Sequence, residues 1–337
     1  MECRGCSVHE LSYEIKLDGL GNKAVQQEVI NHLDRRGMDV QAKGNILTVN
    51  EPGVLELLDF CHHHLNVEEA SFRLADKNWL PLSEVESVLE LQWIDEVISK
   101  ELITCFYQPI VTRDEEVYGY ELLARFKRED GSFIFPGEIF GAAKTRGRLY
   151  ALDRLCRMTA VRYAERLGNK KAFINFIPTS IYAPEYCLRS TIGLATQLGI
   201  DPAQLVFEVV ETEKVDDTAH LKRILHYYKE RGFKYALDDV GEGYNTFEML
   251  EKLRPDYMKL DMKFVQGVAV DLEKQEAAAR LLAKAAETGS VPLAEGVETK
   301  EDFEWLKDKG YELFQGYYFG KPAPSPRENK DSTLTNN

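Results

Sequence analysis

Between residues 8 and 76 the apolar positions alternate between the two-residue period of strands and the wider spacing of helices. The pattern predicts strand 11–17, helix 23–36, strand 38–42, strand 45–49, helix 52–64 and strand 69–75. Lys43, Gly44 and Asn45 mark a hairpin between the second and third strands, and Pro52 sits where a first helical turn accepts proline. The order βαββαβ predicts a small α+β module of the ferredoxin-like kind. Residues 77–83, with Trp79 and Pro81, read as a linker. Over 84–100, apolar Val85, Val88, Leu89 and Ile94 predict an amphipathic helix.

From residue 104 onward, short apolar runs alternate with helical stretches. The runs are 104–111, 117–124, 172–176, 205–209, 234–238, 256–260, 291–295 and 312–319. Eight strands separated by helices predict a (β/α)₈ barrel. The residues between the first two runs, 112–116, are too few for a crossover helix, so that pair is expected to run antiparallel. The fold expected is therefore α/β: a small domain at 1–83, then a modified TIM-like barrel with an antiparallel first strand at 84–323. The stretch after Lys321, with Pro322, Pro324, Pro326 and a polar finish, has nothing to bury and reads as a frayed tail, flexible over 324–337.

The chain has 337 residues, enough for one barrel of about 250 residues and a module of about 90. With 44% hydrophobic and 29% charged residues it can bury a sizeable core. The net charge of -14, from 42 basic and 56 acidic side chains, opposes a broad phosphate-neutralising surface, so long DNA or RNA is not an expected partner. A small anionic ligand is still allowed, because a bound cation inverts the local field. No run of eighteen apolar residues exists, and Glu2, Arg4 and Glu10 stand where a signal peptide would be apolar. The expected location is the cytoplasm, away from a membrane. Six cysteines are too few for a disulfide scaffold, and Cys105, Cys156 and Cys187 lie among apolar neighbours as reduced core residues would. Cys3 and Cys6 form a C-x-x-C, and Cys61 precedes His62, His63 and His64; a zinc or redox site is conceivable there, against a frayed terminus and a solvated helix face.

The barrel runs end alike: Asn175 after Ala-Phe-Ile, Glu208 after Leu-Val-Phe, Asp238 and Asp239 after Tyr-Ala-Leu. Lys259 follows Met258, Asp261 follows Leu260, Glu295 follows Leu293-Ala294, and Gln315 follows Leu313-Phe314. On a parallel barrel these fall on the face where barrel enzymes keep their active sites. Glu121, from the second run, completes a ring of oxygen donors with Asn175, Glu208, Asp238, Asp239 and Glu295. Carboxylates this close repel and raise one another's pKa values unless cations compensate, and hard divalent ions are the natural compensation. One acidic residue ending a strand would be an ordinary helix cap. Several strand ends each supplying a carboxylate or amide, with a lysine on another, favour a metal site. The segment from Asp239 through Gly241, Glu242, Gly243 and Tyr244 to Asn245 can be a plain βα turn or a mobile loop tied to catalysis.

These residues resemble the EAL-domain phosphodiesterases, which hydrolyse the bacterial second messenger cyclic di-GMP to a linear dinucleotide. The resemblance covers residues 84 to 323. It is carried by Tyr107-Gln108-Pro109-Ile110, Glu121-Leu122-Leu123-Ala124-Arg125, Asn175, Glu208 with Glu211, Asp238-Asp239, Lys259-Leu260-Asp261, Glu295-Gly296-Val297-Glu298 and Gln315-Gly316-Tyr317. It implies a first metal held by Glu121, Asn175, Glu208 and Asp238, and a second sharing Asp238 and held also by Asp239. Two Mg²⁺ or Mn²⁺ ions about 3.5–4 Å apart would clamp an in-line displacement and lower the pKa of water from about 15.7 toward 7. No organic cofactor is implied. Lys259 resembles the lysine that orients the attacking water, and with Glu295 and Glu121 forms the implied catalytic set. Gln315 stands near that lysine, and with Gln108, Leu123 and Arg125 makes up the implied substrate contacts. Arg125 matches the planar bidentate donor that phosphate prefers. Glu211 resembles the glutamate that anchors the glycine-rich loop.

The chain departs from the family pattern at Leu122, Val210, Val240 and Glu242, and Asn175 is followed by Phe176, Ile177 and Pro178 rather than by the usual serine. None of these removes an implied metal ligand, but the loop changes bear on how the second ion is held. Two functions follow: metal-dependent cyclic di-GMP hydrolysis, or a catalytically weak receptor or interaction module for the same nucleotide. A barrel enzyme of enolate type, with one metal and a lysine base, fits the paired Asp238-Asp239 poorly. The resemblance also implies a homodimer, and a regulatory or dimerising role is expected of residues 1–83.

Overall fold

The structure is a computed structural model, and it describes residues 8–74, 77–181, 183–209, 218–241 and 247–327. They divide into two compact units: residues up to Glu101 with Gly137–Leu152, and Leu102–Pro136 with the chain from Asp153 onward.

The first unit is built on strands β1 (Ser12–Leu17), β2 (Val40–Lys43), β3 (Ile46–Asn50), β4 (Ala70–Leu74) and β5 (Leu80–Pro81), in the order β2-β3-β1-β4-β5. All neighbours are antiparallel. Alternate residues Tyr13, Ile15 and Leu17 of β1 are buried, as the period of two requires, and helices Leu20–Arg35 and Glu51–His64 add Val29, Leu33, Val54 and Leu57 to the same core. Gly44 turns the β2–β3 hairpin with φ 61°, a backbone state that costs glycine little. Two local expectations change. The stretch read as a linker holds β5, whose Leu80 pairs with Phe72, and the fully buried Leu82. The helix expected over 84–100 is broken into Val85–Leu89, a 3₁₀ turn at Glu90–Gln92, and Trp93–Ser99.

Gly137–Leu152 joins this unit through a buried cation. Arg146 reaches Glu51 at 2.9 Å and Asp95 at 2.7 Å, and donates to the Val88 carbonyl at 3.0 Å. Tyr13 donates to Glu51 at 3.0 Å, and Arg148 donates to the His9 carbonyl at 2.6 Å. A charge this deep persists only when its donors are matched in this way.

The second unit is a closed barrel. Its strands are β6 (Ile103–Thr112), β7 (Val117–Lys127), β9 (Lys171–Phe176), β10 (Leu205–Val209), β11 (Lys234–Val240), β12 (Tyr257–Leu260), β13 (Val291–Ala294) and β14 (Leu313–Gln315), with a short β8 (Phe133–Ile134) on the edge of β7. They follow one another as β6-β14-β13-β12-β11-β10-β9-β7, and the β6–β7 pairing closes the ring. The first barrel strand, β6, is antiparallel to both neighbours and every other barrel pairing is parallel, as the short 112–116 connection predicted. Strand β10 is buried at all positions, the expected state of a parallel strand covered on both faces. β14 is shorter than the 312–319 run because the chain turns at Gly316, where Tyr318 donates its amide to the Val297 carbonyl at 3.1 Å. Residues just past Lys321 are not frayed: Ala323 and Tyr107 exchange backbone hydrogen bonds of 2.7 and 3.0 Å. The tail beyond Arg327 lies outside the described residues. Among the described residues, no helix is long and apolar enough to cross a membrane.

Candidate functional site

The barrel interior is layered. Ile110, Phe173, Val206, Ala236, Tyr257, Leu293 and Leu313 form one apolar cluster. Side chains two residues apart on a strand share a face. Stepping two residues from that layer, forward on the parallel strands and backward on β6, leads to Asn175, Glu208, Asp238, Lys259, Glu295, Gln315 and Gln108. A greasy floor therefore carries a polar ring, and the sequence folds this way because each of these seven strands pairs one apolar with one polar inward position.

Lys259 is the hub of one half of the ring. Its ammonium lies 2.7 Å from Glu208 Oε1, 2.9 Å from Asp238 Oδ1 and 2.7 Å from Glu295 Oε1, and the side chain is 1% exposed. Burial works against this charge, but Asp238, Glu208, Glu295 and Glu121 outweigh it and hold the ammonium well above its ordinary pKa. Glu121 is the hub of the other half. Asn175 Nδ2 donates to its Oε1 at 2.8 Å and Gln315 Nε2 donates to its Oε2 at 2.6 Å. The halves are coupled through Glu208, whose carboxyl is pushed well up by burial and by the charges of Glu121 and Asp238, against the pull of Lys259. Glu295 is pushed up for the same reasons, burial first.

Asp238 and Asp239 are adjacent on β11, so an ideal strand would send them to opposite faces. The pairing of β11 with β12 slips between Leu237 and Val240, and Asp239 takes φ 48°. This bulge turns the backbone so that both carboxylates lie on one side. Asp238, Asp239 and Glu295 each offer an oxygen within 4.8 Å of the others, the spacing of a cation site.

Five carboxylates (Glu121, Glu208, Asp238, Asp239, Glu295) face a single ammonium, so the ring carries excess negative charge when all are ionised. Glu208 Oε2 is buried and has no hydrogen-bond partner among the described residues, and neither has Gln315 Oε1. A set of carboxylate and amide oxygens with an orphaned buried acceptor and excess negative charge fits hard divalent cations. The bland alternative holds for Asp261, whose Oδ1 accepts the Lys263 amide at 2.6 Å as the cap of Met262–Val265.

Above the ring opens a cleft of about 350 Å³ lined by Gln108, Glu121, Asp239, Glu295 and Gln315, and also by Met262, Gly296, Glu298, Gly316 and Tyr317. None of this second group was given a role from the sequence. The available signal was glycine: Gly296 has φ 70°, and a Cβ there would lie 2.4 Å from Met262 Cβ, while one on Gly316 would lie 2.0 Å from the Val297 carbonyl oxygen. Strands β6 and β7 pair as far as Ile103 and Phe126, past the last pairings with β9 and β14, and carry Leu123 and Arg125 on the face of Glu121. The Arg125 guanidinium sits 5.3 Å above the Phe106 ring and donates to the Ala124 carbonyl at 2.8 Å. Burial lowers its pKa, and Glu121 and Tyr317 oppose that. Glu211, Glu242, Cys3 and Cys6 lie outside the described residues, as do the side chains of Cys61, His62 and His63.

The family model described as EAL domain matches residues 91–322. The probable cyclic di-GMP phosphodiesterase PdeG of Escherichia coli K12 is 33% identical over 227 residues, 66% of this chain and 45% of that protein. The cyclic di-GMP phosphodiesterase NbdA of Pseudomonas aeruginosa is 27% identical over 259 residues, 71% of this chain and 32% of its own. The chain thus spans a third to a half of the length of these relatives. Among solved structures, a standalone EAL protein from Vibrio cholerae O395 in its c-di-GMP-bound form is 36% identical with a TM-score of 0.59, covering 66% of this chain and 92% of that one. The fold is also shared with the EAL enzyme Bd1971 in its cGMP-bound form, at 16% identity and a TM-score of 0.64, over 94% of this chain and 91% of that one.

Proposed function

We propose, on the premise that this chain belongs to the EAL domain family, that it hydrolyses cyclic di-GMP to the linear dinucleotide pGpG. The observation that carries this reading is the ammonium of Lys259 held among Glu208, Asp238 and Glu295 beside the Glu121–Asn175 pair. Glu121, Asn175, Glu208 and Asp238 would hold one divalent cation, and Asp238 with Asp239 a second, Mg²⁺ or Mn²⁺ in each case. Bound there, such ions supply a lowered pKa for water and a counter-charge for the phosphodiester.

The chain's own groups do the rest. Lys259 stays protonated, so it serves as a fixed donor that aims a water oxygen at phosphorus rather than as a base. Glu295, whose carboxyl burial has pushed up, is suited to hold the proton that the water gives up. The water oxygen bonds to phosphorus as the P–O3′ bond breaks and the departing O3′ takes a proton, leaving a 5′-phosphate and a free 3′-hydroxyl. Arg125, with its guanidinium over Phe106, offers phosphate a planar pair of donors, and Gln108, Leu123 and Gln315 complete the substrate contacts. Gln315 also holds Glu121 in place through its Nε2. We assign Glu211 to anchoring the loop after Asp239, residues 1–83 to a regulatory or dimerising role, and the working protein to a cytoplasmic homodimer. Cys105, Cys156 and Cys187 are free thiols, as a reducing compartment allows.

Incubation of the purified chain with cyclic di-GMP and Mn²⁺, followed by chromatography, tests the reading. Linear product is expected from the natural sequence, and Lys259→Ala should slow its formation by about 10²–10⁴-fold. Tight binding with no linear product would make the chain a receptor.

A further inference from the structure

We propose that Asp153 is a positioning residue for the Asn175–Glu121 half of the ring, acting on the turn that leaves β9; this rests on the cation-site reading above. Asp153 lies on the helix Leu149–Ala164 and is 2% exposed, so its carboxylate must be matched by donors. Three donors match it. Arg157, one turn along the helix and 1% exposed, is ion-paired with Oδ2 and donates on to Thr191 Oγ1 at 3.1 Å. The other two donors belong to the segment after β9: the Ile177 amide reaches Oδ1 at 2.9 Å, and Ser180 Oγ reaches Oδ2 at 2.6 Å.

The Ile177 bond decides the argument. The ladder between β9 and β10 ends at the pair Phe176–Val209, so the Ile177 amide is the first past the strand with no ladder partner. Without Asp153 it would be a buried orphan, and the chain between it and Asn175 is a single residue long. Ser180 closes the turn on the same carboxylate while its own amide bonds the Ile177 carbonyl at 3.0 Å. Asp153 thus clamps both ends of the turn from Ile177 to Ser180. That fixes where β9 stops and the direction in which Asn175 presents its amide to Glu121. A helix side chain that touches neither substrate nor cation sets the geometry of a group that would hold one, the arrangement by which outer partners tune a metal site.

Two variants separate this from a merely structural role. Asp153→Asn keeps the shape but turns one of the two acceptors into a donor and removes the charge from the other. Ser180→Ala removes one clamp bond and leaves the buried ion pair with Arg157 whole. Each folded variant and the natural sequence are titrated with Mn²⁺ after chelation, and the cation concentration giving half of the maximal rise in melting temperature is read. About tenfold more Mn²⁺ should be required by Asp153→Asn, and a smaller increase by Ser180→Ala, with KM for cyclic di-GMP unchanged in both once Mn²⁺ is saturating. Should Asp153→Asn fail to fold, the Ser180→Ala titration decides alone. A lower melting temperature with an unchanged Mn²⁺ midpoint would overturn the proposal and leave Asp153 structural. If the natural sequence itself shows no Mn²⁺-dependent rise, the cation-site reading fails, and this proposal with it.

Discussion

Glu208 is fully buried, faces the charges of Glu121 and Asp238, and has Lys259 as its neutralising partner. Its raised pKa has a sign that can be tested in metal-free protein. A carboxyl whose folded pKa exceeds its unfolded one contributes most below the ordinary value of 4.5, and that contribution is lost as pH climbs from there. Lys259, held above 10.5, gives a contribution that is present below that value and is lost only at higher pH, so it does not mask the trend. Glu208→Gln, which cannot ionise, should therefore melt above the natural sequence at pH 8 in EDTA, by a margin that shrinks as the pH falls to 4.5. Calorimetry across that range checks it, and a margin that does not change with pH would contradict it. At this scale the sequence was informative wherever one polar side chain stood two residues from an apolar one. It named Asp239 but was silent on the backbone that aims it, because nothing in a pair of adjacent aspartates announces a φ of 48°. It was equally silent on Asp153, whose two partners outside its own helix lie 24 and 27 residues away.

Elements were legible in proportion to their length and periodicity. The antiparallel opening of the barrel followed from the short connection alone, and the parallel strands from their apolar runs. β5 and β8 escaped notice because a strand of two residues has no period to detect. Gly137–Leu152 is the larger lesson. Its sequence lies between barrel strands, yet it groups with the first unit, because Arg146 finds its counter-charges at Glu51 and Asp95, 95 and 51 residues away. Deleting that side chain would leave two carboxylates facing a buried gap, so Arg146→Ala should lower stability by about 3–5 kcal/mol in urea unfolding. A loss under about 1 kcal/mol would show that solvent already screens the network as it does a surface pair.

For the whole molecule, a net negative charge and the proposed anionic ligand make opposite demands that bound cations would reconcile. A net charge of -14 repels polyanions over most of the surface, so duplex DNA should give no anisotropy change at about 0.15 M salt, whereas cyclic di-GMP should bind once Mn²⁺ is present. DNA binding independent of Mn²⁺ would contradict that picture. The proposed activity requires that the carboxylates on the barrel's polar ring take up divalent ions. Isothermal titration of Mn²⁺ into chelator-stripped protein tests it most directly. Two ions per chain are expected for the natural sequence and at least one fewer for Glu121→Gln combined with Asp238→Asn. No uptake by the natural sequence, or the same uptake by the double variant, would contradict it.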